Sequence, residues 1–420
     1  MWETIKNGVH HLWTRIDLLI RWVLFSILSG ILIGAVGSLF VYGLQHATDT
    51  RAEHPWILLF LPLAGVFIVW CYHVLRNETD SGTNLVLSAI HSGENIPLKM
   101  APLIFISTIL THFTGGSAGR EGAALQIGGS IGHSLGRLFQ FDEKDQHIMI
   151  MCGMSAAFSA VFGTPLAAAI FSMEVVSVGI MHYSALVPCV VSSLVASAVS
   201  HRLGILPEHF SIAGQIPDFT LISAVKISLL AALAAGVSVL FCVALHSAEA
   251  LYKKFLKNPY LRAGFGGVLV ILLTLLVGSQ DYNGAGMFII DRCFAHEAVP
   301  YAFLLKILFT ALTLGAGFKG GEIVPTFFIG ATFGCTFGNL LGFSPDLCTA
   351  VGMGAVFCGV TNCPLTSLFI CFELFGFAAM PYYLLAIAIS YMLSGYYGLY
   401  RSQKIMYSKY KTEYINRKTH

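Results

Sequence analysis

Residues 221–247 read LISAVKISLLAALAAGVSVLFCVALHS, with a single lysine in the whole run. A stretch of about 20 mainly apolar residues is long enough to cross the hydrocarbon core of a bilayer as a helix. PWILLFLPLAGVFIVWCYHVL at 55–75 meets the same criterion. The rest of the 420-residue chain agrees: 56% of it is hydrophobic and only 11% charged, against roughly 25% charged residues in a soluble domain. The chain therefore reads as an integral membrane protein. Its first apolar run, near Leu18 to Tyr42, is too long for a signal peptide and no small-residue cleavage pattern follows it.

The formal charge of +2 says little as a total, but its distribution is informative. Lys6, Arg15 and Arg21 precede the first span, and Arg401, Lys404, Lys409, Lys411, Arg417 and Lys418 follow the last. Positive charge collects on the cytoplasmic side, so both termini are expected there. The ten cysteines sit mostly in apolar segments, without CxxC pairs or histidines at metal spacing, and read as small core residues. No polar stretch exceeds a loop, so one transmembrane domain over 1–420 with no soluble regulatory domain is expected.

The organisation within that domain is a duplication. GMSAAFSAVFGTPLAAAIFSME at 153–174 and GMGAVFCGVTNCPLTSLFICFE at 352–373 share Gly, Met, Ala, Phe, Val, Pro, Leu and Glu at a constant offset of 199. Upstream of each copy lies a glycine-spaced segment, in which Gly128, Gly132 and Gly136 answer Gly330, Gly334 and Gly338. Glycine at every fourth position leaves a flat stripe on a helix, against which another backbone can pack closely. We read repeat 1 over about 20–205 and repeat 2 over about 220–405.

Paired repeats with interrupted hydrophobic segments in corresponding places point to a transporter whose site lies at the repeat interface. The interruptions are GGSAGREGAA in the first half and GAGFKGGEIVPT in the second, each opening a glycine-spaced helix. A helix N-terminus carries unpaired N–H groups and partial positive charge, and two that converge can bind an anion. Glu121 falls at the first of these ends, where its carboxylate can take the anion's place and, once protonated, release it. Burial disfavours the charged form of such a carboxylate, and an ionisable group at membrane depth is a functional candidate by default. The plainer alternative is that Arg120 and Glu121 cap and neutralise a buried helix end.

GSAGREGAALQIGGSIG resembles the GREGP motif of the CLC family of chloride channels and anion/proton antiporters, and GGEIVPTFFIGATFG resembles its GxFxP motif. The resemblance runs over roughly 20–405 and includes the duplicated G…P…E segments and Tyr400. It implies an all-α fold of about 18 helical segments in two inverted-topology repeats, and a homodimer with one pathway per subunit. By the same resemblance Glu121 takes the place of the gating glutamate, and Tyr400 that of the tyrosine lining the inner end of the anion path.

The departures carry as much weight. The GSGIP motif is replaced by Gly82-Thr83-Asn84-Leu85, GREGP by GREG followed by Ala123, and the phenylalanine of GxFxP by Ile323, with Glu322 before it and Val324 after. Val175 stands where many chloride/proton antiporters carry a second glutamate. This combination is similar to the fluoride-exporting branch of the family. It implies export of fluoride in exchange for protons, with Glu121 and Glu322 as proton-coupling groups and Gly82, Thr83, Asn84, Arg120, Gly122, Ile323, Val324 and Tyr400 around the anion. A chloride/proton antiporter or passive chloride channel on the same fold is the alternative, toward which the Thr83 hydroxyl leans.

Glu322 can relay a proton or merely cap its helix. Glu174 and Glu373, being duplicated, read as structural hydrogen-bonding elements. His112 and His133 read as packed histidines bonded to backbone rather than as proton carriers. No HExxH, GxSxG or phosphate-binding loop is present, so no enzymatic activity, cofactor, metal or nucleic-acid partner is expected, only halide, protons and membrane lipid. The expected location is a bacterial-type inner membrane, crossed many times.

Overall fold

The computed structural model describes residues 2–78, 81–139, 141–142, 145–212 and 216–420; the side chains of 2–12, 14 and 15 lie outside that description, and with them Lys6 and Arg15. Among the described residues the first half contains α1 (Trp2–Glu53), α2 (Leu61–Val74), α3 (Thr83–Ser92), α4 (Met100–Phe113), α5 (Glu121–Leu138), α6 (Gln146–Phe162), α7 (Pro165–Glu174) and α8 (Leu186–Arg202). The second half contains α9 (Leu221–Phe255), α10 (Pro259–Val277), α11 (Met287–Phe294), α12 (Ala302–Gly315), α13 (Ile323–Leu341), α14 (Pro345–Thr361), α15 (Pro364–Phe375) and α16 (Met380–Leu393). With the 3-10 turns Pro55–Phe60 and Tyr183–Ala185, these match the expected number of helical segments.

Helix lengths are very unequal. Six described helical stretches are long and apolar enough to cross a membrane: Ile16–Glu53, Pro55–Val74, Tyr183–Arg202, Leu221–Phe255, Pro259–Val277 and Ile323–Leu341. Others, such as the 10-residue α7, fall short at a rise of about 1.5 Å per residue. Short helices leave polar ends at membrane depth, which is tolerable only where protein surrounds them. Lipid-facing surface is supplied instead by α9 and α10, where Leu229, Leu233, Leu272 and Leu276 are exposed.

The glycine stripes act as the sequence predicts. α5 packs on α6 and α13 on α14, backbone against backbone. A Cβ added to Gly128 would lie 2.1 Å from the Gly153 carbonyl oxygen, and one added to Gly334 would lie 2.0 Å from that of Cys348.

Glu174 and Glu373 join the two halves. Glu174, at the end of α7, accepts from the N–H groups of Leu365 (3.0 Å) and Thr366 (2.8 Å) and from the Thr366 hydroxyl (2.6 Å) at the start of α15. Glu373, at the end of α15, accepts from the N–H groups of Leu166 (2.9 Å) and Ala167 (2.8 Å) at the start of α7. Each helix begins at a proline and leaves its first N–H groups without intrahelical partners. The glutamate of the opposite half satisfies them. Their structural reading holds.

One element departs from an all-α chain. Strands β1 (Ser177–Val178), β2 (Lys404–Tyr407) and β3 (Tyr414–Lys418) form a small sheet, β1 parallel to β2 and β2 antiparallel to β3. The basic tail KIMYSKYKTEYINRK folds back as a hairpin because Ile405 buries completely while its neighbours point outward. Thr419 then donates to the Tyr400 carbonyl at 2.7 Å, so the tail braces the segment that carries Tyr400.

Candidate anion and proton site

Three helix N-termini meet near the middle of the chain's fold. α5 and α13 are preceded by the two interrupted segments, which pair as an antiparallel bridge: Gly119 N–H donates to Gly321 at 2.6 Å and Gly321 N–H to Gly119 at 2.8 Å. A Cβ on Gly321 would lie 2.5 Å from the Gly122 nitrogen, so only glycine lets the two helix starts approach this closely. The third end is that of α3, entered through Gly82 at a φ of +66°, a left-handed conformation that favours glycine.

The first N–H groups of these helices lack intrahelical partners by construction. Gly122 follows the first residue of α5, and Ile323 and Val324 open α13, both fully buried. Thr83 joins α3 to α5: its hydroxyl lies 3.4 Å from the Gly122 carbonyl and accepts from the Gln126 amide at 3.4 Å, and that amide also reaches the Gly122 carbonyl at 3.2 Å. Asn84 accepts from the Ser402 N–H at 2.9 Å, fixing α3 to the segment after Tyr400.

Gly82, Thr83, Asn84, Gln126, Glu322 and Tyr400 line one cavity of about 830 Å³. Three of its buried polar atoms, Glu322 Oε2, the Tyr400 hydroxyl and Gln126 Oε1, have no hydrogen-bond partner in the protein, an arrangement proteins otherwise avoid. The wider mouth carries Lys253, Lys257, Arg262, Lys319 and Arg401 against Glu78 and Glu249. Such a mouth attracts anions.

Five of the expected residues, Arg120, Glu121, Gly122, Ile323 and Val324, lie outside the lining of this cavity. Glu121 is completely buried but lies outside the cavity lining. Its carboxylate turns back on the start of its own helix, accepting from the Arg120 N–H and from Arg120 Nε, both at 3.3 Å. Arg120 also lies off the cavity, its Nη2 2.6 Å from Glu208 on the α8–α9 loop. The guanidinium is held by carboxylates on both sides, because a buried cation needs them. His112 packs as expected, its Nε2 3.3 Å from the Gly119 carbonyl, whereas His133 pairs with the Asn95 side chain at 3.0 Å rather than with backbone.

Two contributors, Gln126 and Glu208, escaped the sequence reading, as did a buried lysine outside the cavity lining. Gln126 sits one turn after Gly122, and its polarity within an apolar helix was the available signal. Glu208 sits in a loop with nothing in its neighbourhood to mark it. Lys306 is completely buried on α12, donating to the carbonyls of Gly284 (2.7 Å) and Tyr282 (3.2 Å).

The signature of the voltage gated chloride channel family, CLC, matches residues 64–395. The chain belongs to that family. This CLC protein is 37% identical over 403 residues, 93% of its own length and 88% of the relative's, to a chloride/fluoride channel protein of Pseudomonas syringae pv. tomato. It superposes with a TM-score of 0.89 on the crystal structure of a CLC-type fluoride/proton antiporter, at 33% identity over 92% of this chain and 98% of that one. A slow cyanobacterial Cl⁻/H⁺ antiporter shares the fold alone, with a TM-score of 0.75 and 19% identity over 89% of this chain and 94% of that chain. The CLC protein is thus a multi-pass membrane protein of a transport family.

Proposed function

We propose that this CLC protein is a secondary active transporter that exports fluoride across the cell membrane in exchange for protons, as a homodimer with one pathway per subunit and both termini in the cytoplasm. Its halves act as inverted-topology repeats, with the anion site where their interrupted segments abut. The single observation that carries the reading is the placement of two carboxylates, Glu121 and Glu322, at two helix N-termini bridged through Gly119 and Gly321. The similarity to proteins named for fluoride supports the choice of halide.

Each residue then has a task. The N–H groups of Gly122, Ile323 and Val324, with the hydroxyls of Thr83 and Tyr400, offer several close donors to an anion entering from the basic cavity. Fluoride is small and strongly hydrated, so its site must replace a costly water shell with short, charge-assisted bonds. Gly82 permits the entry of α3, and Asn84 holds that helix against the Tyr400 segment. Arg120 steadies Glu121 rather than touching the anion. Glu322 faces the cavity with a free oxygen and takes the proton on that side, while Glu121 takes it on the other.

The test is efflux from proteoliposomes loaded with fluoride or with chloride, with a pH electrode recording the opposing proton movement. Fluoride is expected to leave faster and to draw protons in. Chloride leaving as fast as fluoride, as the serine-like placement of the Thr83 hydroxyl beside Gly122 would allow, would overturn the choice of halide.

A further inference from the structure

The α8–α9 loop passes close to Glu121 without belonging to either repeated helix pair. It is described over 203–212 and 216–220, and the first of these stretches is pinned on both sides of Glu208. On the first half, Pro207 packs so tightly on Gly163, at the α6–α7 turn, that a Cβ there would lie 2.5 Å from Pro207 Cα. On the second half, the Phe210 N–H donates to the Leu374 carbonyl at 3.0 Å, and the Phe210 ring stacks on Phe294 with centroids 5.1 Å apart. A residue fixed between two such anchors has little freedom to point elsewhere. Glu208 points at Arg120, 2.6 Å from Nη2.

Arginine clasps a carboxylate most firmly with two parallel N–H donors. For a partner approaching from the Nε side, those donors are Nε and Nη2. Glu208 holds Nη2, so Glu121 keeps only the longer contact to Nε, at 3.3 Å. The Arg120 side chain is 11% exposed and that of Glu208 31%, whereas the Glu121 side chain is wholly buried. Were Glu208 absent, the buried guanidinium would have Glu121 as its sole carboxylate among its described contacts, and the pair would close. A carboxylate locked in that way neither swings toward the anion nor takes up a proton.

We propose that Glu208 is a positioning residue for the exchange reaction: by holding the Nη2 end of Arg120 it prevents a two-contact ion pair between Arg120 and Glu121 and leaves the Glu121 carboxylate free to move. The proposal rests on the reading of Glu121 as a proton-coupling group.

The experiment measures fluoride efflux and proton uptake in proteoliposomes for Glu208→Gln and Glu208→Asp, each with the native Glu121 and with Glu121→Gln. With native Glu121, Glu208→Gln is expected to slow coupled exchange by about tenfold or more, because a buried charge loses one of two partners, and Glu208→Asp to recover part of the rate. With Glu121→Gln, adding Glu208→Gln is expected to change fluoride flux by less than about twofold, since the two effects run through one contact and do not add. Equal slowing in both backgrounds would mean general damage to the path and overturns the proposal, as does an unslowed Glu208→Gln. A crystal structure of Glu208→Gln tests the contact without any flux: Glu121 is expected to bind both Nε and Nη2 of Arg120. A Glu121 that keeps its single contact overturns the positioning role even where fluoride/proton exchange is measured, whereas absent exchange in the unmutated protein overturns the functional reading.

Discussion

Two pairs of glutamates stand at helix ends in the two halves, and the pairs have opposite fates. Glu174 and Glu373 are used alike: each reaches across to the other half and satisfies backbone N–H groups at the start of a short helix. Glu121, the first residue of α5, and Glu322, the N-cap of α13, stand one position out of step at matching helix starts and are used differently. Glu121 lies against Arg120 and outside the cavity lining, whereas Glu322 borders the cavity with Oε2 unpartnered. A carboxylate whose hydrogen bonds are complete holds structure together. One that is buried and incompletely bonded is available to exchange a proton or make way for an anion.

The largest expected effect separates these pairs by activity. Glu121→Gln keeps the size of the side chain but cannot carry a proton, so coupled proton uptake should vanish while fluoride still moves; a pH electrode and a fluoride electrode on the same proteoliposomes decide it, and undiminished uptake would remove Glu121 from the coupling path. Glu322→Gln should likewise abolish coupling. Stability separates the pairs in the other direction: Glu174→Ala strands two N–H groups and a hydroxyl and is expected to cost on the order of 3 kcal/mol, read as a lowered thermal unfolding midpoint in detergent. Glu373→Ala, with one hydrogen bond fewer, should cost about 2 kcal/mol. Glu322→Gln, which removes a buried and incompletely bonded carboxyl, should change stability by less than about 1 kcal/mol. A midpoint lowered as far as that of Glu174→Ala would show that Glu322 is structural after all.

The smallest expected effect lies in the anion ligands. Thr83→Ala removes one hydroxyl among several donors and leaves the Gln126 amide bonded to Gly122. Fluoride efflux should fall by a factor of about 5 to 10, as for one hydrogen bond of about 1 kcal/mol, with fluoride still preferred over chloride. A reversal of that preference would make Thr83 the selectivity element.

Much of this was legible in the chain. The apolar runs, the 199-residue echo and the glycines at every fourth position dictated membrane helices in two matching sets with close backbone contact, because those properties follow from local composition and period. The interrupted GGSAGREG and GFKGGE segments marked the helix starts that meet. Sequence put Glu121 one residue further into its helix than Glu322 stands in its own, but did not show what either carboxylate touches. Tertiary structure decided that by bringing Glu208, from a loop 88 residues further along, onto Arg120. It also recruited Gln126 to bridge Thr83 and Gly122, buried Lys306 among carbonyls, and folded the basic tail into a hairpin under Tyr400. Period and composition are read from neighbours in the chain, whereas the partner that satisfies a buried charge can come from any residue the fold brings within about 3 Å.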